Sequence, residues 1–386
     1  MRAAFLAREL SGDNGWGRLS LETVRGVARL GVSSLVLSST AASLDEENVD
    51  VRIVLPPWPS GHLAWAVGVG GSLPRVVREI EGSALVHCLT EPYLPLAAMA
   101  SWWRGLPFVV SAVGTYATRR MKGSGWSPFA FWARRADRIV CISRYTESQL
   151  LSRWPGARTS VVNPGVDSTR FTPGTPTGPA AEARGRVVLG VGAVKPRKGY
   201  DLAIRALAKL PPSLGDVSLY IAGSFETHAA YAEGLKTLSR ELGVGSRVHL
   251  LGRVGEEDLI GWYRRADVFL LNASNVGEHY EGFGLVLLEA GACGTPVVGC
   301  RDCGNEDIVT PGDNGLLVPQ NDPEATAEAL SRILETPDLR RRMGERGRAR
   351  AGVMSWEASA VSMVHIYEEV LDARGGVRVP WLGESP

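Results

Sequence analysis

Short apolar runs rich in valine, leucine and alanine alternate, along the first 170 residues, with stretches whose apolar positions return every three or four residues. Ala3–Ala7, Leu35–Ser38, Val51–Leu55, Ala84–Cys88, Phe108–Ser111, Arg138–Ile142 and Ser160–Val162 read as strands, and a helix is predicted from about Arg18 to Leu30 behind a glycine-rich turn. Alternation of this kind predicts a mostly parallel sheet covered by helices on both faces. A second series places strands at Val187–Val191, Val217–Ala222, Arg247–Leu250, Val268–Leu271, Pro296–Gly299 and Leu316–Val318. Its helices are predicted at Tyr200–Leu210, His228–Leu242, Glu256–Arg265, Gly284–Ala292 and Glu324–Leu334. Between the two series Phe171–Arg186 carries PGTPTGP and little apolar content, and reads as an interdomain linker. The pattern therefore predicts two doubly wound α/β domains, residues 1–170 and 187–354, with an arginine-rich helical stretch at Asp338–Arg350 and a last helix at about Ser355–Leu371. The glycine- and proline-rich end after Asp372 is expected to be loose. Two such domains in tandem are expected to form a cleft, since open α/β sheets bind ligands beyond the carboxyl ends of their strands.

Composition narrows the classes of function. The 386 residues suit two domains rather than one core, and 42 basic against 41 acidic residues leave a net charge of +1, which gives no reason to expect a nucleic-acid partner. Five scattered cysteines make no disulfide framework, and the single CxxC pair, Cys300 and Cys303, lacks the second pair a zinc site needs. The N-terminal apolar stretch, Ala3–Ala7, is too short for a signal-peptide core of about 7–15 residues, and the stretches at Leu63–Leu73 and Pro92–Trp103 fall short of the roughly 18 that span a bilayer. A cytoplasmic protein with reduced thiols is expected.

Three segments carry candidate chemistry. In Glu281-Gly-Phe-Gly-Leu-Val-Leu-Leu-Glu289, Gly282 and Gly284 let backbone approach a ligand, and the amides of Phe283, Gly284 and Leu285 open a helix, a ready anion site. If all helical, the two glutamates stand roughly 12 Å apart, about the span from sugar to ribose in a nucleotide sugar; the plainer reading is a capped helix with an incidental glutamate. In Gly192-Ala-Val-Lys-Pro-Arg-Lys-Gly-Tyr-Asp201, Lys195, Arg197 and Lys198 crowd a strand-to-helix loop where cations would neutralise a diphosphate leaving group, or would simply be solvated. In Ser11–Arg18, Gly15 and Gly17 follow the first strand and would bring amides to a phosphate, although a glycine turn there is common.

Taken together, EGFGLVLLEA with GACGTPVV, the PRKGYD loop, ADRIVCISRYTESQL and NPGVDSTRFTP resemble the family-4 glycosyltransferases of the GT-B fold, over nearly the whole chain. The resemblance implies two Rossmann-like domains facing each other across a deep cleft, with the terminal helix, residues 355–386, crossing back to the first. It implies a retaining transferase that moves a hexose from a UDP- or GDP-sugar held on the second domain to a hydroxyl acceptor on the first, a glycan, glycolipid or small glycoside. Carried over by motif position, Glu289 holds the ribose, Glu281 faces the transferred sugar near the Phe283 and Gly284 amides, and Lys198 contacts the diphosphate. Arg253 and Val254 stand where the base is held by backbone, and Gly15–Gly17 approach the donor phosphate or the acceptor. Two departures stand out: Ala193 replaces an arginine that would share the diphosphate, a role open to Lys195 or Arg197, and Val113 replaces a histidine near the donor sugar, a contact open to Thr115 or Tyr116.

No Asp-x-Asp pair occurs in the chain, so a metal-independent scheme is expected, with the leaving group held by Lys198, neighbouring cations and helix amides. Residues 116–138 hold Arg119, Arg120, Lys122, Arg134, Arg135 and Arg138 among Trp126, Phe129, Phe131 and Trp132. Such a stretch either lies on an anionic membrane presenting a lipid-linked acceptor, or packs its aromatics inward beneath a solvated basic face. His87 reads equally as a site or a core histidine, and His279 as a donor contact or a loop cap. The competing classes are a non-catalytic nucleotide-sugar binding protein and, with less support from the motifs, a sugar-nucleotide epimerase.

Overall fold

The apolar runs of the first half become a seven-stranded parallel sheet in the computed structural model, which describes residues 1–12, 14–42, 44–57, 62–118 and 128–375. The elements are β1 (Arg2–Ala7), α1 (Gly15–Arg29), β2 (Ser33–Ser38), β3 (Val49–Ile53), α2 (His62–Glu79), β4 (Leu85–Cys88), α3 (Leu94–Arg104), β5 (Phe108–Ala112), α4 (Thr115–Thr118), α5 (Pro128–Ala133), β6 (Arg138–Cys141), α6 (Arg144–Leu151) and β7 (Thr159–Val161). The order β3-β2-β1-β4-β5-β6-β7 puts a topological switch between β1 and β4, with Phe5 beside Val36 on one side and His87 on the other. Side chains alternate across a strand. Ala4 and Leu6 therefore join the core under α2 and α3, while Ala3, Phe5 and Ala7 join the core on the opposite face.

The second half continues with β8 (Arg186–Val191), α7 (Tyr200–Ala208), β9 (Val217–Ala222), α8 (Ala229–Glu241), β10 (Val248–Gly252), α9 (Glu256–Arg265), β11 (Val268–Leu270), α10 (Leu285–Ala292), β12 (Val297–Cys300), β13 (Gly315–Val318), α11 (Pro323–Glu335) and α12 (Pro337–Val353). Its six parallel strands run β10-β9-β8-β11-β12-β13, so the switch falls between β8 and β11. The last helix, α13 (Trp356–Ala373), returns to the first unit: Ala360, Met363, Ile366, Tyr367 and Val370 bury a stripe against Phe5, Val24 and Val27. By contacts the chain divides into Met1–Pro164 with the chain from Trp356 onward, and Gly165–Ser355.

The segment 171–186, expected as a linker, lies inside the second unit and is packed there. Phe171 is 2% exposed and meets the Tyr263 ring edge-on at 6.0 Å. Arg264 donates to the Thr172 carbonyl at 2.8 Å, and Arg265 to that of Ala183 at 3.1 Å. A proline- and glycine-rich run thus gains its order from the arginines of α9. No described helix is long and apolar enough to cross a membrane.

Candidate functional site

The basic loop and the glutamate motif meet at the carboxyl ends of β8 and β11, the switch point of the second sheet, where ligands bind in open α/β sheets. After β8 the chain makes a 3-10 turn at Pro196–Lys198 and closes it at Gly199, whose φ of 63° is left-handed. A Cβ at Gly199 would lie 1.8 Å from the Asn272 carbonyl beyond β11, so only glycine lets the two loops touch. The Ser274 amide then donates to the Arg197 carbonyl at 2.9 Å. Lys198 Nζ and Arg197 Nη1 both donate to Glu281 Oε2 at 2.7 Å, and Arg197 also reaches the Tyr280 carbonyl at 3.2 Å.

Burial by itself would raise the Glu281 pKa; the charges and hydrogen bonds of Lys198 and Arg197 together outweigh it and hold the carboxyl at about 2. Lys195 is half-buried nearby, and its pKa is lowered by burial and by the fields of Arg197 and Lys198. Three cations thus share one carboxylate. An anion with several oxygens is what this excess of positive charge attracts.

The helix α10 starts at Leu285, with Gly284 as its N-cap at φ 98° and no side-chain cap. No side chain caps that turn beside the cation cluster; the Leu287 amide donates to the Gly284 carbonyl at 2.8 Å, and of the predicted Phe283–Leu285 amides only that of Leu285 belongs to the helix. The expected helical span from Glu281 to Glu289 does not exist, because residues 281–284 precede the helix. Gly284 needs its positive φ for the turn, and that turn is clamped by Asn305, which donates to the Phe283 carbonyl at 3.1 Å and accepts from the Cys300 amide at 3.1 Å. Gly282 is fixed from the other side: the Gly304 amide donates to the Glu281 carbonyl at 2.9 Å. Glu289 is buried within α10 and accepts from the Tyr263 hydroxyl at 2.7 Å. Sequence reasoning missed Asn305, Tyr263 and Ser274. The Ser274 side chain is buried, and among the described residues its hydroxyl has no hydrogen-bond partner. The only local signal for these three was their place in loops that follow strands or in a helix facing the motif.

The remaining expectations fall out unevenly. Arg253 is exposed and Val254 half-buried just after β10, the edge strand of the second sheet, two strands from β8. Ala193, where an arginine was expected, is exposed. In the first unit, Gly15 and Gly17 form the first turn of α1 rather than a loop. The Gly17 amide donates to Asn14 Oδ1 at 3.0 Å, so the capping asparagine takes the amide that the sequence suggested for phosphate. His87 is a core histidine: its ring nitrogens meet Tyr367 at 2.7 Å and Ser111 at 3.0 Å, and burial pushes its pKa down to about 3. His279 is exposed in a tight turn closed by the Val276 and His279 backbones. Cys300 and Cys303 are buried thiols donating to Asn272 Oδ1 and the Cys300 carbonyl, and burial raises Cys303 to about 12.

Of the basic aromatic stretch, Arg119, Arg120, Lys122 and Trp126 lie outside the described residues. Phe129 is buried and Trp132 packs on the core, whereas Phe131 is 40% exposed under the Arg134 guanidinium. Arg138 is no part of an open basic face, since it pairs with Glu369 of α13 at 3.1 Å. The end of the chain is tied as far as Arg374, which pairs with Asp137 at 2.9 Å; residues 376–386 lie outside the described residues.

Two family models match the chain, "Glycosyltransferase Family 4" over residues 14–170 and "Glycosyl transferases group 1" over residues 179–350. A D-inositol 3-phosphate glycosyltransferase of Corynebacterium jeikeium is 38% identical over 54% of this chain and 51% of its own. A GDP-mannose-dependent alpha-(1-6)-phosphatidylinositol monomannoside mannosyltransferase of Mycolicibacterium smegmatis is 36% identical over 58% of this chain and 62% of its own. The matches thus span about half to three-fifths of these curated relatives' length. Among solved structures, Anabaena HepE in complex with UDP and glucose superposes with a TM-score of 0.77, 21% identity, and coverage of 96% of this chain and 100% of that one. At that identity the likeness establishes the fold, GT-B.

Proposed function

This chain belongs to the family-4 glycosyltransferases, the glycosyl transferases group 1, and from that premise we propose that it moves a hexose from a UDP- or GDP-sugar to a hydroxyl acceptor with retention of configuration. The observation that carries the proposal is the convergence of Lys198 and Arg197 on Glu281 at the uncapped start of α10. In this reading the diphosphate lies over the α10 amides and takes Lys198 and Arg197 as partners. Arg197 rather than Lys195 supplies the charge absent at Ala193, because its guanidinium already stands beside Lys198. Glu281 is released toward the sugar, where its charge stabilises the developing positive ring, and Glu289, oriented by Tyr263, accepts from the ribose hydroxyls. Lys195 adds field, and Arg253 and Val254 lie toward the base. The departing phosphate oxygen takes the acceptor proton as the C1–O bond breaks and the new bond forms on the same face. No metal is required, since fixed cations and amides meet the leaving-group charge.

The acceptor is assigned to the first unit; glycans, glycolipids and small glycosides are the classes considered, and the inositol phosphate and phosphatidylinositol mannoside named for the relatives make polyols natural first choices. A thermal-shift panel of UDP-, GDP- and ADP-sugars tests the reading. A UDP- or GDP-sugar should raise the melting temperature with ligand excess, and donor hydrolysis should persist in EDTA. No stabilisation by either refutes donor binding; stabilisation without hydrolysis or transfer identifies a non-catalytic binder; dependence on added Mg²⁺ refutes the metal-free scheme.

A second reading concerns where the enzyme works. Trp102 and Trp103 at the end of α3 are 67% and 69% exposed, and the Arg135 guanidinium lies 5.9 Å from the Trp102 ring while Arg134 covers Phe131 at 4.4 Å. Exposed tryptophans beside arginines suit the headgroup layer of an anionic bilayer. This supports peripheral contact at the cytoplasmic face of the membrane. Sedimentation with phosphatidylglycerol vesicles at low salt should carry the protein down and lose it in Trp102→Ala/Trp103→Ala; wild-type protein left in the supernatant refutes the contact.

A further inference from the structure

One buried carboxyl of the first unit stands apart from the Lys198, Arg197 and Glu281 cluster. Glu91 opens the turn after β4, next to the carboxyl end of β5, and is 7% exposed. Its Oε1 accepts from the Val113 amide at 2.8 Å. Its Oε2 is buried and, among the described residues, has no hydrogen-bond partner. Among the described residues no cation pairs with it; the Cys88 thiol of β4 feels its charge, while Tyr93 of its own turn donates to the Pro56 carbonyl at 2.7 Å and lies in the field of Arg8, whose amide donates to Thr90 Oγ1 at 3.1 Å. A carboxyl buried this way costs free energy that a core apolar residue would not. What it holds is the backbone of the β5–α4 turn, which passes through Gly114 at φ 136° to Thr115 at the carboxyl edge of the sheet.

We propose that Glu91 is a positioning residue: its carboxyl fixes residues 113–115 at the sheet edge so that they form a floor for the acceptor. The proposal rests on the assignment of the acceptor to the first unit. The ionised carboxyl grips the Val113 N–H more strongly than the acid does. Burial raises the Glu91 pKa, against the pull of the Val113 amide and of its own backbone amide, to about 7. The proton goes to the unpartnered Oε2, so the grip on the turn weakens as pH falls through neutrality.

Two measurements test this. With ¹⁵N-valine labelling, the Val113 amide shift should titrate with a midpoint near 7 in the wild type and stay flat in Glu91→Gln, whose amide oxygen keeps the hydrogen bond but cannot titrate. A flat wild-type curve overturns the proposal. In transfer assays with the donor found by the thermal-shift panel and myo-inositol or a mannoside as acceptor, Glu91→Ala should raise the acceptor KM about tenfold with the donor KM unchanged. Glu91→Gln should restore that KM and remove its dependence on pH between about 6 and 8. An unchanged acceptor KM in Glu91→Ala, or a Glu91→Gln profile that follows the wild type, removes the role of Glu91 alone. Failure of the wild type to bind any donor removes the functional reading instead, while the amide titration still judges the geometry.

Discussion

Glu281→Gln separates the electrostatic role of this carboxylate from its shape. The Glu281 pKa is about 2, against an ordinary 4.5. That difference corresponds to about 3 kcal/mol of folded-state stabilisation. A depressed carboxyl pKa stabilises the fold fully above the unfolded value and loses the contribution as pH falls through the folded one. The stabilisation is therefore complete at neutral pH, declines below about 4.5 and is gone below about 2. Glutamine removes it at all pH values and leaves Lys198 and Arg197 facing each other with little solvent. For a unit the size of Gly165–Ser355, the loss lowers the melting temperature by roughly 6–12 °C at pH 7. Differential scanning calorimetry of both proteins, at pH 7 and at about pH 3, reads the gap directly, and less than half of it should remain at the lower pH. Inorganic pyrophosphate at pH 7 should narrow the gap, because it supplies the freed cations with an anion. Equal melting temperatures at pH 7, or a gap as wide at pH 3 as at pH 7, would refute the assignment of charge pairing as the main role.

Other substitutions probe the rest of the site. Lys198→Ala should lower turnover by about 10²–10³-fold in steady-state assays, the usual cost of one oriented electrostatic contact; near-normal turnover would contradict its role at the leaving group. Tyr263→Phe leaves Glu289 without its hydroxyl donor and should cost about 1–2 kcal/mol in urea unfolding together with weaker donor affinity by calorimetry. Gly304→Ala would place a Cβ 2.0 Å from the Gly282 carbonyl, so the turn before α10 must shift. A drop in melting temperature with loss of donor-induced stabilisation is expected, and wild-type behaviour in both would show that the turn is not rigidly held.

The sequence by itself determined the strands of both sheets, the first helix and the helices of the second half, because apolar periodicity and glycine punctuation act over a few residues; α2 to α6 were not placed one by one. The predicted Glu256–Arg265 helix and Val217–Ala222 strand keep their limits in the fold. It also marked the two loops that meet in the candidate donor site, since glycines and clustered cations are local features. Tertiary structure decided what those loops do to each other. Arg197 and Lys198 meet Glu281 across more than 80 residues of chain, and no spacing rule reaches that far. Packing also set the start of α10 at Leu285, which put Glu281 outside the helix. It turned the linker at 171–186 into a packed part of the second unit, whereas the bond from the Gly17 amide to Asn14 is a local helix cap. Glu91 had no motif to announce it; its burial and its bond from the Val113 amide exist only once β4 and β5 lie side by side.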